Sequence, residues 1–158
     1  MTATVLPWQT ANRDHVLGLY QRRQLPHALL LHGLVGTGIR QFAQAIARTV
    51  LCKGEVGIAP CGECHSCQLG AAGNHPDLLQ LTPEREGGPI KVDQVRAVVG
   101  FGQESPQQGG YRVVMITPAE AMNASAANSL FRSLESGDSP GKRKETLFNG
   151  NLIMRNSA

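Results

Sequence analysis

The feature that most constrains this chain is a cluster of cysteines. All four fall between positions 52 and 67, as Cys52, Cys61, Cys64 and Cys67, in the pattern C-x8-C-x2-C-x2-C. Two residues between cysteines let both thiolates face one ion while the backbone turns around it. Three cysteines at this spacing supply three corners of a tetrahedron, and Cys52, at the end of a helical pattern, supplies the fourth. Four sulfurs make a closed, structural site with no open position. Soft thiolates select zinc or an iron–sulfur cluster. Zinc is the expectation, because nothing else in the sequence points to redox work. The competing readings are four free thiols or a Cys61–Cys64 redox pair. His65 lies inside the cluster as a substitute ligand, but four sulfurs already complete the shell.

The stretch ahead of the cluster has its own signature. Ala28-Leu29-Leu30-Leu31 is a continuous apolar run, as in a strand buried on both faces of a parallel sheet. It leads into Gly33-Leu34-Val35-Gly36-Thr37-Gly38, and then into Phe42, Ala43, Ile46, Ala47 and Val50 at helical spacing. Strand, glycine loop and helix is the order of a P-loop, whose pattern is G-x-x-x-x-G-K-[ST]. Gly33, Gly36 and Gly38 keep the backbone part, but the lysine position is Ile39 and the hydroxyl position is Arg40. A second nucleotide element, acidic residues at the end of a buried strand that hold magnesium, is also missing. The run Val113-Val114-Met115-Ile116 ends in Thr117-Pro118, and the nearby Glu120 is aimed elsewhere by helical direction. The loop is expected not to bind ATP.

The remaining periodicity gives the fold class. A helix is expected over Arg13 to Arg22, strands over Asp77 to Thr82 and Arg112 to Thr117, a helix capped by Asp93 with Val95, Val98 and Val99, and an alanine-rich helix over Ala119 to Leu134. Residues 53–73 carry no sustained period and read as a metal-held insertion. Alternating strands and helices imply right-handed βαβ units, an α/β fold with a parallel sheet. From Ser136 the character changes to a loop bearing Lys142-Arg143-Lys144, a run read as a solvated loop, and Asn149-Gly150 suits a tight hairpin turn.

Composition excludes several classes. Hydrophobic residues are 41% and charged residues 17%, which argues against disorder throughout. The start, MTATVLPWQT, is not a signal peptide, and no apolar run approaches the roughly 20 residues of a membrane span, so a soluble cytoplasmic protein without membrane partners is expected. The net charge of +3 does not by itself imply nucleic acid. A zinc-dependent nucleic-acid module would want clustered Lys/Arg with aromatics beside the cysteines. Lys53, Glu55 and Glu63 nearly cancel, and aromatics are 4% of the chain. His27, His32 and His75 read as packing or capping residues, and no Ser-His-Asp or paired-carboxylate site is legible.

Taken together, these segments resemble the delta-prime subunits of the bacterial DNA polymerase III clamp loader, from about Trp8 to Glu135. The residues that carry the resemblance are Pro26 to Leu31, the loop Gly33 to Gly38, the four cysteines, His75-Pro76-Asp77, Val92 to Arg96, Gly110 to Val114, and Ala126 to Glu135. The resemblance implies an AAA+-type domain over 1–135 with a zinc module at 52–73. It also implies a stator role in a five-subunit ring with the gamma/tau and delta subunits, which load the sliding clamp on primed DNA. Such a subunit does not hydrolyse ATP. The alternatives are an active gamma/tau-type ATPase and the zinc nucleic-acid module.

The ending departs from that family. Family members continue with two prolines, a buried strand and a Ser-Arg-Cys motif whose Arg reaches a neighbour's ATP site, then lid and collar domains. Residues 136–158 read instead as a divergent basic tail. A truncated or diverted chain is therefore expected, with the sheet left incomplete at its C-terminus. The strand due there, over Thr146 to Met154, is interrupted by Asn149-Gly150-Asn151.

Overall fold

The computed structural model describes residues 5–26, 28–54, 60–108, 110–136 and 151–157. The elements are α1 (Thr10–Gln21), β1 (Ala28–Leu31), α2 (Ile39–Leu51), α3 (His65–Ala71), β2 (Leu78–Leu81), α4 (Val92–Gln103), β3 (Tyr111–Ile116), α5 (Ala124–Ser136) and β4 (Asn151–Ser157). The strands form one sheet in the order β1-β4-β3-β2.

Helices cover both faces of the sheet. Val16, Phe42, Ile46 and Val50 pack with Val113 and Met115 on one face. Ile90, Val95, Val98 and Leu130 pack with Val114 and Ile116 on the other. Successive β3 residues therefore serve opposite layers, which is why this strand is apolar without alternation. Removing Ile46 or Ile116 from water contributes about 2–3 kcal/mol each; both are at most 2% exposed.

Local chemistry sets the helix ends. Gly38 caps α2 in the left-handed region at φ 78°, and α2 stops at Cys52, whose backbone turns extended. The start of α4 is tied by the Gln94 Oε1 that accepts from Lys91 N–H at 3.0 Å. Asp93 is not the cap; it lies in the first turn and pairs with Arg96 at 3.3 Å. The alanine-rich stretch is divided: a 3-10 turn covers Ala119–Ala121, and Asn123 Oδ1 then opens α5 by accepting from Ala126 N–H at 2.8 Å.

The all-parallel expectation is corrected at β4. Strands β2 and β3 are parallel, joined through α4 as expected. Strand β4 lies between β1 and β3 and runs antiparallel to both, with Leu29 opposite Ile153 and Met115 also opposite Ile153. The sheet is thus mixed, and the position expected to lack a good strand holds β4, Asn151–Ser157. Strand direction is set by the connection, not by apolar pattern. His27, the Lys142-Arg143-Lys144 run and the Asn149-Gly150 turn lie outside the described residues.

Candidate metal centre and glycine loop

The four cysteines converge. Cys52 ends α2, Cys61 and Cys64 lead into α3, and Cys67 lies within it. Their sulfurs all lie within 4.8 Å of one another. Cys61 Sγ is 3.5 Å from Cys52 Sγ and 3.8 Å from Cys67 Sγ. Zinc–sulfur bonds of about 2.3 Å in a tetrahedron separate the sulfurs by about 3.8 Å, so this donor set fits zinc. His65 is exposed and stands outside the group.

Backbone amides aim at the sulfurs. Gly54 and Cys61 N–H donate to Cys52 Sγ, Cys64 N–H to Cys61 Sγ, and Cys67 N–H to Cys64 Sγ, each at 3.4 Å. Such donors favour thiolate over thiol. The backbone N–H groups of Cys64 and Glu63 lower the Cys61 thiol from its ordinary value. At Cys64 burial opposes ionisation, but the N–H groups of Lys53 and Cys67, with help from neighbouring thiols, outweigh it and bring the pKa to about 6. Burial, reinforced by the neighbouring thiols, pushes Cys67 up to about 12. A cation that draws in Cys67 as thiolate must release its proton, so metal affinity rises with pH.

Several residues of the site were not read from the sequence. Helix α3, seven residues long, shows no period over so short a span. Gly54 approaches the cysteines so closely that a Cβ there would stand 2.8 Å from Cys61 Sγ. Ser66 Oγ donates to Leu51 C=O at 2.6 Å and lies 2.6 Å from His75 Nε2. Asp77 accepts from Gln107 and Gln108 N–H at 2.8 Å each and faces Arg112 Nε at 3.5 Å. Arg112 also donates to Phe101 C=O at 2.6 Å and covers the Phe101 ring at 4.3 Å. The available signal was a charge at the edge of each of two apolar strands, since a buried charge needs a partner.

The glycine loop joins β1 to α2 where the sequence placed it. Gly36 (φ 89°) and Gly38 take left-handed backbone. Ile39, in the lysine position, folds back over the loop, its Cδ1 2.7 Å from where a Gly33 Cβ would stand. Arg40 is exposed. The turn at Pro7–Gln9 clasps the loop from outside: Gln9 Nε2 donates to Thr37 and Gly38 C=O at 3.0 Å each, and Trp8 Nε1 to Thr37 C=O at 3.1 Å. At the end of β3, Thr117 Oγ1 is buried without a hydrogen-bond partner among the described residues, and the sequence has no carboxylate at this position. Glu120 is exposed, within the 3-10 turn.

Residues 9–141 match the family described as DNA polymerase III, delta subunit. The chain is 49% identical over 138 residues to DNA polymerase III subunit delta' of Pseudomonas aeruginosa, covering 86% of this chain and 41% of the relative. The chain belongs to the DNA polymerase III delta-prime family. Subunit delta' of Escherichia coli K12 is 37% identical over 129 residues, 82% of this chain and 39% of that one. Subunit tau/gamma of Haemophilus influenzae is 30% identical over 128 residues, covering 78% of this chain and 18% of its own length. The chain thus spans about two fifths of the length of the delta-prime relatives it matches. Among the described residues, no helix is long and apolar enough to cross a membrane.

Proposed function

We propose that this chain is the N-terminal, ATP-inert domain of a clamp-loader stator, stiffened by one structural zinc. Cys52, Cys61, Cys64 and Cys67 would hold the ion, which supplies cross-linking of α2 to α3 and no reaction chemistry. The glycine loop, through Gly33, Gly36 and Gly38, would serve as packed structure rather than as a nucleotide site. The partners would be the gamma/tau and delta subunits in a hetero-oligomeric ring, with the sliding clamp and primed DNA contacted through that ring. Cytoplasmic location follows from this role.

The observation that carries the reading is Ile39. A phosphate cradle needs a lysine to reach the β and γ phosphates and a hydroxyl for magnesium; here a branched apolar side chain lies over Gly33 instead. Thr117, where a magnesium-holding carboxylate would stand, points the same way. These losses weigh against the gamma/tau-type motor. The near-cancelling charges of Lys53, Glu55 and Glu63 and the low aromatic content weigh against a nucleic-acid module.

Calorimetric titration tests the inert loop. No ATP binding tighter than about 100 μM is expected, and hydrolysis should equal a no-protein control. Co-purification tests the partners: the full-length protein should assemble with gamma/tau and delta in a complex that loads the clamp. A dissociation constant tighter than that bound, or ATP turnover, would replace the stator reading with the motor one.

A further inference from the structure

Behind the metal centre runs a chain of hydrogen bonds that contains none of the cysteines. Asp77 N–H donates to His75 Nδ1 at 3.0 Å. A neutral imidazole that accepts at Nδ1 carries its proton on Nε2. That nitrogen therefore donates to Ser66 Oγ, 2.6 Å away, which in turn donates to the Leu51 carbonyl at 2.6 Å. Every donor has one acceptor, and Ser66 and His75 are 3% and 5% exposed. The residues only superficially suggest a nucleophilic triad. The Asp77 carboxylate is taken by Gln107, Gln108 and Arg112, and the Ser66 proton is committed to a carbonyl.

The positions of the two ends matter. Leu51 immediately precedes Cys52, and Ser66 immediately precedes Cys67. The relay thus grips the end of α2 and the start of α3 one residue from a sulfur on each. It anchors both to the segment that opens β2, whose Asp77 is locked to β3 through Arg112. Groups that orient metal ligands from behind govern affinity without touching the ion, by reducing the ordering that binding must impose.

We propose that Ser66 and His75 are positioning residues for the metal, holding the Cys52 and Cys67 sulfurs at the spacing a tetrahedral ion requires and fastening that spacing to the sheet. The inference rests on the four cysteines holding zinc. Within it, Ser66 hands the sheet's register to the site, and His75 is the strut between them. The geometry also ranks replacements at position 75. A glutamine amide can donate from about the place of Nε2, whereas alanine offers nothing to Ser66.

The test is zinc affinity of the 158-residue chain, measured by competition with a chromogenic chelator, for wild type, Ser66→Ala, His75→Ala, His75→Gln and Val98→Ala. Val98 is a buried residue of the opposite layer and serves as a control for general destabilisation. Ser66→Ala and His75→Ala should bind zinc about tenfold more weakly, at the lower end of what such partners contribute, while His75→Gln should stay within about threefold of wild type. Val98→Ala should lower the melting temperature and leave the zinc affinity unchanged. Wild-type affinity in both Ser66→Ala and His75→Ala overturns the relay while leaving the zinc site intact. An equal loss in Val98→Ala also overturns it, because the effect is then one of stability alone. A wild-type chain that takes up no zinc removes the metal site and the relay together.

Discussion

Asp77 and Arg112 are 1% and 2% exposed, and each is held by several partners rather than by the other alone. Removing one member of such a pair leaves a buried charge uncompensated, which costs about 3–5 kcal/mol. Asp77→Ala should therefore lower unfolding stability by about 3 kcal/mol in denaturant titration, the lower end because Arg112 keeps Phe101 C=O and Glu104. A change under about 1 kcal/mol would mean that the pair is better hydrated than its burial implies. His75 makes a second residue-level prediction. Burial lowers its pKa from the ordinary 6.5, against the pull of Asp77. The unfolded chain then takes up a proton near pH 6.5 that the folded chain refuses until lower pH, so this contribution to stability is present above about 6.5 and is lost as pH falls below it. Nitrogen chemical shifts at neutral pH should report the Nε2–H tautomer, with a titration midpoint below 6.5; a midpoint at or above 6.5 contradicts the bonding to Asp77 and Ser66. Gly54→Ala should weaken metal retention, since its Cβ would press on Cys61 Sγ. Equal zinc content after dialysis would show that the loop yields.

Elements differed in how plainly the chain announced them. Strand β1, helix α2 and strand β3 lay within a residue or two of expectation, because continuous apolar runs and the Phe42–Val50 stripe admit few alternatives. The grouping of four cysteines followed from spacing alone. Helix α3 did not, being too short for a period to register. The Ser66–His75 and Ser66–Leu51 bonds of the relay and the Asp77–Arg112 pair were illegible because they join residues 9 to 35 positions apart, and a sequence shows which polar residues need partners but not which they find. The orientation of β4 was missed for a different reason: Leu152-Ile153-Met154 marks a strand equally well in either direction. Its central place gives a prediction. Ile153→Pro would delete a ladder hydrogen bond between β1 and β3, where proline is not tolerated. A loss of about 2 kcal/mol or more is expected, seen as a melting temperature lower by several degrees. An unchanged melting temperature would mean that β4 does not contribute to the folded state.

As a whole, the molecule is a sheet with two helical layers and a cysteine-rich corner, and its two functional signatures point in opposite directions. The glycine loop joins β1 to α2 with Gly36 and Gly38 in left-handed backbone, and it carries Ile39 and Arg40 where a phosphate-binding loop has lysine and a hydroxyl. The cysteine corner keeps every group that a structural ion requires: four sulfurs within 4.8 Å and amides directed at three of them. Residues 9–141 place the chain in the DNA polymerase III delta-prime family, and the proposed role needs a stiff domain rather than a working nucleotide site. The zinc is the part of this account on which the stiffness, the α2–α3 join and the Ser66–His75 relay all depend. The most direct measurement is therefore elemental analysis of the 158-residue chain purified without chelator. The account predicts one zinc per chain, retained through dialysis at neutral pH and released on acidification as the thiolates are protonated. Well under half an equivalent of zinc in folded protein would contradict it.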